Sequence, residues 1–287
     1  SELCLEDAVV QHLVDVNGFT LRSDRDYNPD TVLDEQLLVD FVRDTQPQVW
    51  SEYSKAFENN IIESFIKEVV DAREKNGLIE LLQRGFYSPS IHQDVKVMFG
   101  HPENNYNPEL MRGYKQNVVS VARQIHYAAD KNSSVDVVLF INGIPFTVIE
   151  LKSELKGQNV DDAIEQFKHT RDPHDLLFKQ NVGSLMFFAV SQSSAMVTGQ
   201  LEGNKTYFLP FNIETTDNIK TEFLWRDYWT KDNLIDVLSK FIFLLTKENK
   251  KKVCLPRYHQ WECVETAEKD VLSNGPGERY LVQHSAG

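Results

Sequence analysis

Three residues that could do chemistry together, Asp136, Glu150 and Lys152, lie in otherwise apolar surroundings within residues 135–152. Two buried carboxylates close to each other repel, and a divalent cation between them removes that conflict. Oxygen ligands from two acids, with the Leu151 carbonyl as a further candidate, suit Mg²⁺, which keeps several of its waters. A lysine beside such an ion could orient a nucleophile or stabilise developing charge, so the three residues indicate phosphodiester hydrolysis.

A β-hairpin would bring these residues together. VDVVLFI and FTVIELK both have the composition of buried strands, and Asn142-Gly143 between them is a strong turn signal, because both residues tolerate positive φ. If these two residues form the turn, Ile141 faces Ile144. The sequence therefore predicts two antiparallel strands with the acids near their open end.

The length of the turn decides which residue lies opposite Asp136. A two-residue turn places Ile149 there, whereas a three- or four-residue loop places Glu150 or Leu151 there. In each case the two carboxylates lie at the same level of the sheet. Along the second strand, Glu150 and Lys152 share one face, and Ile149 and Leu151 share the other.

The rest of the apolar pattern predicts helices first and then a sheet. The sequence predicts helices over residues 2–17 (ended by Asn17-Gly18), from a cap at Asp30, within 48–84, over 159–172 and over 232–245, and further strands over 117–127, 182–191 and 205–212. This order is typical of an α/β fold with one central mixed β-sheet flanked by helices.

The composition limits the class of protein. The chain carries a net charge of -13, which argues against indiscriminate affinity for nucleic acid without excluding a local basic groove. No apolar run approaches the ~20 residues of a membrane span. The three cysteines form no C-x-x-C pair, so neither a zinc site nor a disulfide framework is indicated, and a cytoplasmic location fits best.

The residues alone also fit a second interpretation of the acids. Asp136 could lie at a strand edge, with Glu150 and Lys152 forming a solvated ion pair, because acids and lysines at this spacing are common by chance. The hairpin signal and the apolar flanks favour the catalytic interpretation.

A family resemblance adds to this picture. The chain resembles the nuclease domain of the restriction (motor) subunit of bacterial type I restriction-modification enzymes. That domain has the PD-(D/E)xK restriction-endonuclease-like fold. The resemblance rests on FINGIPFTVIELK and on residues 117–127, 163–178, 186–191 and 206–212. The resemblance implies that Asp136, Glu150 and Lys152 are catalytic and that Asp136 and Glu150 are the metal ligands.

The helix after the hairpin departs from that family in one place. Some members carry a Q-x-x-x-Y motif there. In this chain Gln166 matches the glutamine of the motif, and Thr170 stands in place of the tyrosine. The resemblance implies a DNA-binding or supporting role for Gln166, and Arg171 could contact phosphate in place of the tyrosine. Gln166 could also be an ordinary solvent-facing residue. Glu6 could match an accessory acid of such nucleases, although a surface glutamate is the favoured interpretation.

The C-terminal end resembles the start of the ATP-driven helicase part of these subunits. PRYHQWECV begins at Pro256 and makes Gln260 a candidate adenine contact, and YLVQHSAG reads as a strand that enters a phosphate-binding loop. The sequence stops at Gly287, before the Walker A lysine, so productive ATP binding is not expected. We predict an endonuclease domain over 1–246, with a helical segment about 30–85, and a linker with the truncated start of the motor over 247–287.

The resemblance implies Mg²⁺-dependent hydrolysis of double-stranded DNA, coupled in the full protein to ATP-driven translocation. Its implied partners are DNA and the methyltransferase and specificity subunits of a restriction complex, with no membrane. Weak or no cleavage is expected of this chain alone. Two alternatives remain, a non-catalytic module that docks the motor on the methyltransferase core and a repair or recombination nuclease of the same fold.

Overall fold

The structure is a computed structural model that describes residues 5–102, 107–128, 132–248 and 250–283. Its α-helices are α1 (Leu5–Asp15), α2 (Glu35–Thr45), α3 (Pro47–Ala56), α4 (Ile61–Asn76), α5 (Leu78–Arg84), α6 (Pro108–Gln116), α7 (Val160–His169), α8 (Lys231–Asp236) and α9 (Tyr258–Asn274). Its strands are β1 (Thr20–Arg22), β2 (Phe86–Ser88), β3 (Gln93–Val95), β4 (Val119–His126), β5 (Ser134–Ile141), β6 (Ile144–Leu151), β7 (Met186–Val190), β8 (Ala195–Thr198), β9 (Leu209–Pro210), β10 (Phe243–Lys247) and β11 (Lys250–Cys254). Within these ranges no helix combines the length and the apolar character needed to cross a lipid bilayer.

A mixed sheet lies at the centre. In the described part of the chain it has seven strands in the order β1-β4-β5-β6-β7-β8-β9. β1 runs parallel to β4 and β6 parallel to β7, while the other neighbours are antiparallel. α7 lies in the connection between the parallel strands β6 and β7, as crossovers of this kind require. The prediction of a central mixed sheet flanked by helices is confirmed.

The middle of this sheet is buried on both faces. Val137, Leu139 and Ile141 of β5 belong to one core, and Val138 and Phe140 belong to the other, because successive side chains of a strand point to opposite faces. The first core packs against α1 to α5. The second core packs against α7 and contains Phe167, Phe178 and Phe187. Burial on both faces explains why β5 and β6 read as continuous apolar runs.

The β5–β6 hairpin has the predicted turn and a bulge that the sequence did not reveal. Ile141 pairs with Ile144, so Asn142 and Gly143 form the two-residue turn, both with positive φ. The register then shifts, since Phe140 pairs with Pro145 but Leu139 pairs with Thr147. A proline has no N–H for the ladder, and bulges are common where a proline interrupts the pairing.

The bulge changes the residue that lies level with Asp136. Val137 pairs with Ile149, so the next step of the register sets Asp136 level with Glu150. The prediction that Ile149 lies opposite Asp136 for a two-residue turn is therefore wrong. The expectation that the two acids lie at the same level of the sheet is confirmed.

Two predicted helix boundaries are wrong. Asp30 does not cap α2, because residues 28–33 form a tight turn and Asp34 caps the helix instead, accepting a hydrogen bond from Leu37 N at 3.2 Å. The helix predicted over 232–245 ends earlier. α8 is followed by a π-helical turn (Val237–Phe241), and Ile242 is extended, so that β10 begins at Phe243.

The strand predictions are confirmed for the central strands and fail at the edges. β4 to β7 lie within the predicted ranges or extend them by a residue or two, whereas only Leu209–Pro210 of the 205–212 range is a strand. β1 and β8 had no strand prediction. They are three and four residues long, too short for a clear alternation pattern.

The region predicted as a linker and motor start, as far as the structure describes it, includes a strand and a helix that pack on the rest of the protein. β10 and β11 form an antiparallel hairpin, and Tyr258 and Trp261 of α9 are buried against Tyr228 and Phe211. The division at residue 246 stays a prediction. Residues 280–283, expected in a strand, form none, and residues 284–287 of that predicted strand and loop lie outside the described residues.

Candidate active site

The candidate site begins where β5 and β6 part. Val137 and Ile149 form their last backbone pair. Beyond it the Leu151 amide donates to Asp136 Oδ2 at 2.8 Å, so the Asp136 side chain accepts a bond that would otherwise go to the neighbouring strand. The Gln124 side-chain amide approaches Asp136 Oδ1 at 3.4 Å. Asp136 is thus held at the end of the hairpin with one oxygen firmly bonded.

Glu150 lies next to it and is fully buried. Its Oε1 atom accepts a hydrogen bond of 2.8 Å from Arg171 Nε, while its Oε2 atom is buried and has no hydrogen-bond partner among the described residues. Burial and then the charge of Asp136 raise the pKa of Glu150 to about 8, against the opposing effects of Arg171 and Lys152. A buried acid with one unpaired oxygen is costly unless something else binds there.

Lys152 and Gln166 are brought together, as a shared site requires. The Lys152 backbone amide donates to Val190 O at 2.8 Å, which ties the end of β6 to β7. Lys152 Nζ donates to Gln166 Oε1 on α7. Thr170, at the position of the expected tyrosine, donates its hydroxyl to Gln166 O at 2.7 Å, within the last turn of α7.

Arg171 lies in a place that the sequence did not suggest. Its side chain is 5% exposed. It pairs with Glu150 and donates from Nη2 to Ser134 O at 2.8 Å, and its guanidinium carbon lies 5.4 Å from the centre of the Tyr127 ring. In this arrangement a buried carboxylate holds the guanidinium away from the surface, and a DNA-binding or supporting role for Arg171 stays a prediction.

A cavity of about 210 Å³ opens beside Asp136, Leu151 and Lys152, and the buried Glu150 does not line it. Glu6 of α1 lines it together with Asp136 and Lys152. Glu6 Oε1 accepts from Arg123 Nε at 2.6 Å, and its Oε2 accepts from the Gln124 side chain at 3.2 Å. Glu6 is thus more enclosed than the ordinary surface glutamate that the sequence favoured, with its side chain 14% exposed, and a role as an accessory acid stays a prediction. No spacing in the sequence could have revealed this enclosure, because α1 and β5 are far apart in the chain.

The site fits a cation such as Mg²⁺. Among the described residues, Glu150 Oε2 is a buried acceptor without a hydrogen-bond partner, and Asp136 Oδ1 has a long contact to Gln124 alone. Across the described residues no three acids, histidines or cysteines are grouped closely enough to hold a metal. An ion here would be held by two carboxylates with waters or carbonyls completing the shell, as Mg²⁺ allows.

A larger depression, of about 820 Å³, lies between α4 and residues 28–35. It contains none of the candidate acids, so the smaller cavity remains the candidate active site. Gln260 lies elsewhere, at the start of α9, where its side-chain oxygen accepts from Arg257 N at 3.0 Å. Its contact with adenine stays a prediction.

Comparison with known proteins gives two matches. The family model described as "Type I restriction enzyme R protein N terminus" matches residues 1–206. A protein of Methanocaldococcus jannaschii named "Putative type I restriction enzyme MjaVIIIP endonuclease subunit" is 24% identical over 239 residues, which cover 79% of this chain. The matched region is 22% of that relative's length.

Proposed function

Because the chain belongs to the family of type I restriction enzyme R protein N termini, we propose that it acts as the nuclease domain of such a subunit. The proposed reaction is hydrolysis of phosphodiester bonds in double-stranded DNA with Mg²⁺ as cofactor. The relative named an endonuclease subunit supports this assignment.

The observation that carries the proposal is the pair of acids at the end of the β5–β6 hairpin. Asp136 and Glu150 lie at one level, and Glu150 retains a buried oxygen that no described residue hydrogen-bonds. Lys152 projects from the next position on the same face, into the cavity that Asp136 also lines. A buried carboxylate oxygen without a hydrogen-bond partner calls for an explanation, and a bound cation supplies one.

The residues divide the work as follows. Asp136 and Glu150 would hold the ion, which would supply Lewis-acid activation of water and offset negative charge on the phosphate. Lys152 orients the nucleophile or stabilises the charge that develops on the phosphate. Gln166 holds the Lys152 ammonium at the edge of the cavity. Leu151 N fixes the Asp136 carboxylate, so that little reorganisation is needed when DNA arrives.

The wider protein completes the activity in this proposal. Cleavage is coupled to ATP-driven translocation by a motor that follows this region, and the assembly includes methyltransferase and specificity subunits. This division of labour suits a chain with a net charge of -13, since DNA delivered by a motor needs little free affinity for the nuclease. Gln260 would contribute to the nucleotide site of that motor.

The test uses the full-length subunit assembled with its partners, ATP and Mg²⁺. Asp136→Asn keeps an acceptor for Leu151 N, and Lys152→Met keeps the side-chain stem, so both are expected to fold. Each should lower plasmid cleavage by more than about 100-fold, because even indirect partners of a metal contribute 10–100-fold. ATP hydrolysis should stay unchanged.

Two exposed residues provide matched controls, Asp30→Asn and Lys55→Met, which should cleave like the unsubstituted enzyme. Full cleavage by the Asp136 and Lys152 variants would leave this region only a docking role between the motor and the methyltransferase core.

A further inference from the structure

Arg171 is tied to the candidate active site by three kinds of contact. Its Nε and Nη2 atoms both lie within 2.8 Å of Glu150 Oε1, and Nη2 also donates to Ser134 O at 2.8 Å. Its guanidinium packs over the ring of Tyr127, which follows β4. The side chain therefore connects the ends of β4, β5 and β6.

These contacts bear on both acids at once. Glu150 is bonded directly, and Ser134 lies two residues before Asp136 on the same strand. β5 and β6 make no further ladder pair beyond Val137 and Ile149, so the backbone ladder does not fix the distance between the two carboxylates. Arg171 spans the gap at this point.

The contacts also select one oxygen of Glu150. Arg171 Nε and Nη2 both contact Oε1. The Oε2 atom is left buried and without a hydrogen-bond partner among the described residues. A carboxylate gripped at one oxygen cannot turn freely, so its second oxygen keeps a set direction.

We propose that Arg171 is a positioning residue, which locks Glu150 Oε1 to the start of β5 and presents Oε2 to the catalytic cation. The role rests on the proposed metal-dependent function. Arg171 does not touch the reacting phosphate in this arrangement, and it stays on Glu150 when the cation binds.

An arginine suits this task better than a lysine. Its planar fork donates to two acceptors at fixed angles and its flat face stacks on an aromatic ring, whereas an ammonium is a point charge on a flexible stem. Arg171→Lys therefore keeps the charge and removes the geometry. It separates positioning from simple charge compensation.

The test measures metal binding rather than cleavage. The 287-residue protein is titrated with MgCl₂ and with MnCl₂ in a calorimeter, alongside Arg171→Lys and the exposed control Arg84→Lys, which is 76% exposed on α5. Arg171→Lys should bind either metal about 10- to 100-fold more weakly, as expected for an outer partner of a ligand. Arg84→Lys should match the unsubstituted protein.

Each outcome has a distinct meaning. If the unsubstituted protein binds and Arg171→Lys binds within twofold of it, the positioning role is wrong while the metal site stands. If the unsubstituted protein binds neither metal, both the metal site and the role built on it are wrong. A loss of thermal stability without a change in metal affinity would leave Arg171 a purely structural ion pair.

A second measurement needs no variant, in case Arg171→Lys does not fold. A crystal structure of the unsubstituted protein with Mn²⁺ should show the ion on Glu150 Oε2 and the guanidinium still on Oε1. An ion on Oε1, or a guanidinium released from Glu150, would overturn the proposal.

Discussion

Burial, followed by the charge of Asp136, raises the pKa of Glu150, and together they outweigh the opposing effects of Arg171 and Lys152. Its side chain has no contact with solvent, and its pKa rises to about 8 from an ordinary value of 4.5, although Arg171 is bonded to it. The folded protein therefore keeps a proton on Glu150 over a range of pH in which the unfolded chain has released it. Stability from this group is greatest at low pH and is lost as the pH rises from about 4.5 to 8.

We expect the metal-free protein to lose stability over that pH range relative to Glu150→Gln, which has no proton to release. Across the whole pH range, the loss of unfolding free energy amounts to roughly 1.4 kcal/mol for each factor of ten by which folding lowers the acid dissociation constant of Glu150. Urea unfolding in the presence of a chelator, at several pH values between 5 and 9, measures it. The exposed Glu63→Gln should show the same pH dependence as the unsubstituted protein, and a matching curve for Glu150→Gln would contradict the prediction.

The Lys152–Gln166 hydrogen bond is the second prediction at this scale. Gln166→Ala leaves the Lys152 ammonium without its acceptor on α7, so its position in the cavity becomes variable. We expect cleavage by the assembled enzyme to fall by up to about 100-fold, because small misplacements of a catalytic group have effects of that size. Gln36→Ala, whose side chain pairs with Asp40 on the surface, is the control. Unchanged cleavage by Gln166→Ala would show that Lys152 needs no support.

Among the elements, the β5–β6 hairpin carries the site, and its turn is clamped from two sides. Asn142 accepts from Val118 N at 2.7 Å and donates to Val97 O at 2.9 Å. On the other side Gly143 O accepts from Asp34 N at 2.8 Å, at the residue that caps α2. The turn thus connects the sheet to the helical layer and fixes where the hairpin begins.

Gly143 should therefore be sensitive to a single methyl group. It has a φ of +83°, and a Cβ atom there would lie 2.2 Å from Asp34 O. We expect Gly143→Ala to lower the free energy of unfolding by clearly more than the ~1–2 kcal/mol that a left-handed conformation alone costs. Chemical denaturation measures this change.

Gly157 is a matched control for that substitution. Its φ is +73°, but a Cβ atom there would meet nothing within 4 Å, so Gly157→Ala carries the backbone cost without the clash. Equal losses for the two variants would mean that the close approach of α2 to the turn is unimportant.

At the scale of the whole molecule, α9 packs on the larger hydrophobic core. Trp261 of α9 is 5% exposed, and its ring lies 4.9 Å from that of Tyr228, centre to centre. Tyr258 joins the same cluster, against Phe211 and Phe223. An aromatic contact of this kind couples the stability of α9 to that of the core.

Trp261→Ala should consequently destabilise the core itself, by about 3–5 kcal/mol, as is usual when a large buried side chain is truncated. Urea unfolding measures the loss of stability, and hydrogen exchange of the β6 and β7 amides shows whether that loss reaches the central sheet. Leu272→Ala on the same helix should change stability little, since Leu272 is 85% exposed. If Trp261→Ala leaves β6 and β7 unaffected, α9 is an independent unit.

The acids and the lysine, the Asn142-Gly143 turn and the helix at α7 could all be predicted from sequence. These features depend on neighbours a few residues away, through strand alternation, turn chemistry and helix capping. The family resemblance rests on the same local stretches. Even the one-residue error in the register came from a local feature, the proline after the turn, whose effect depends on how the two strands pair.

Only the tertiary structure decided which partners the functional groups have. Arg171 lies 21 residues after Glu150, and Arg123 lies 117 residues after Glu6, yet each pair is bonded. The packing of α9 on Tyr228 could likewise not be predicted from the sequence. Side-chain pairing across such separations depends on where the folded backbone places each group, and no periodicity in the chain encodes that placement. The sequence thus determined which groups are available for chemistry, and the fold determined which of them meet.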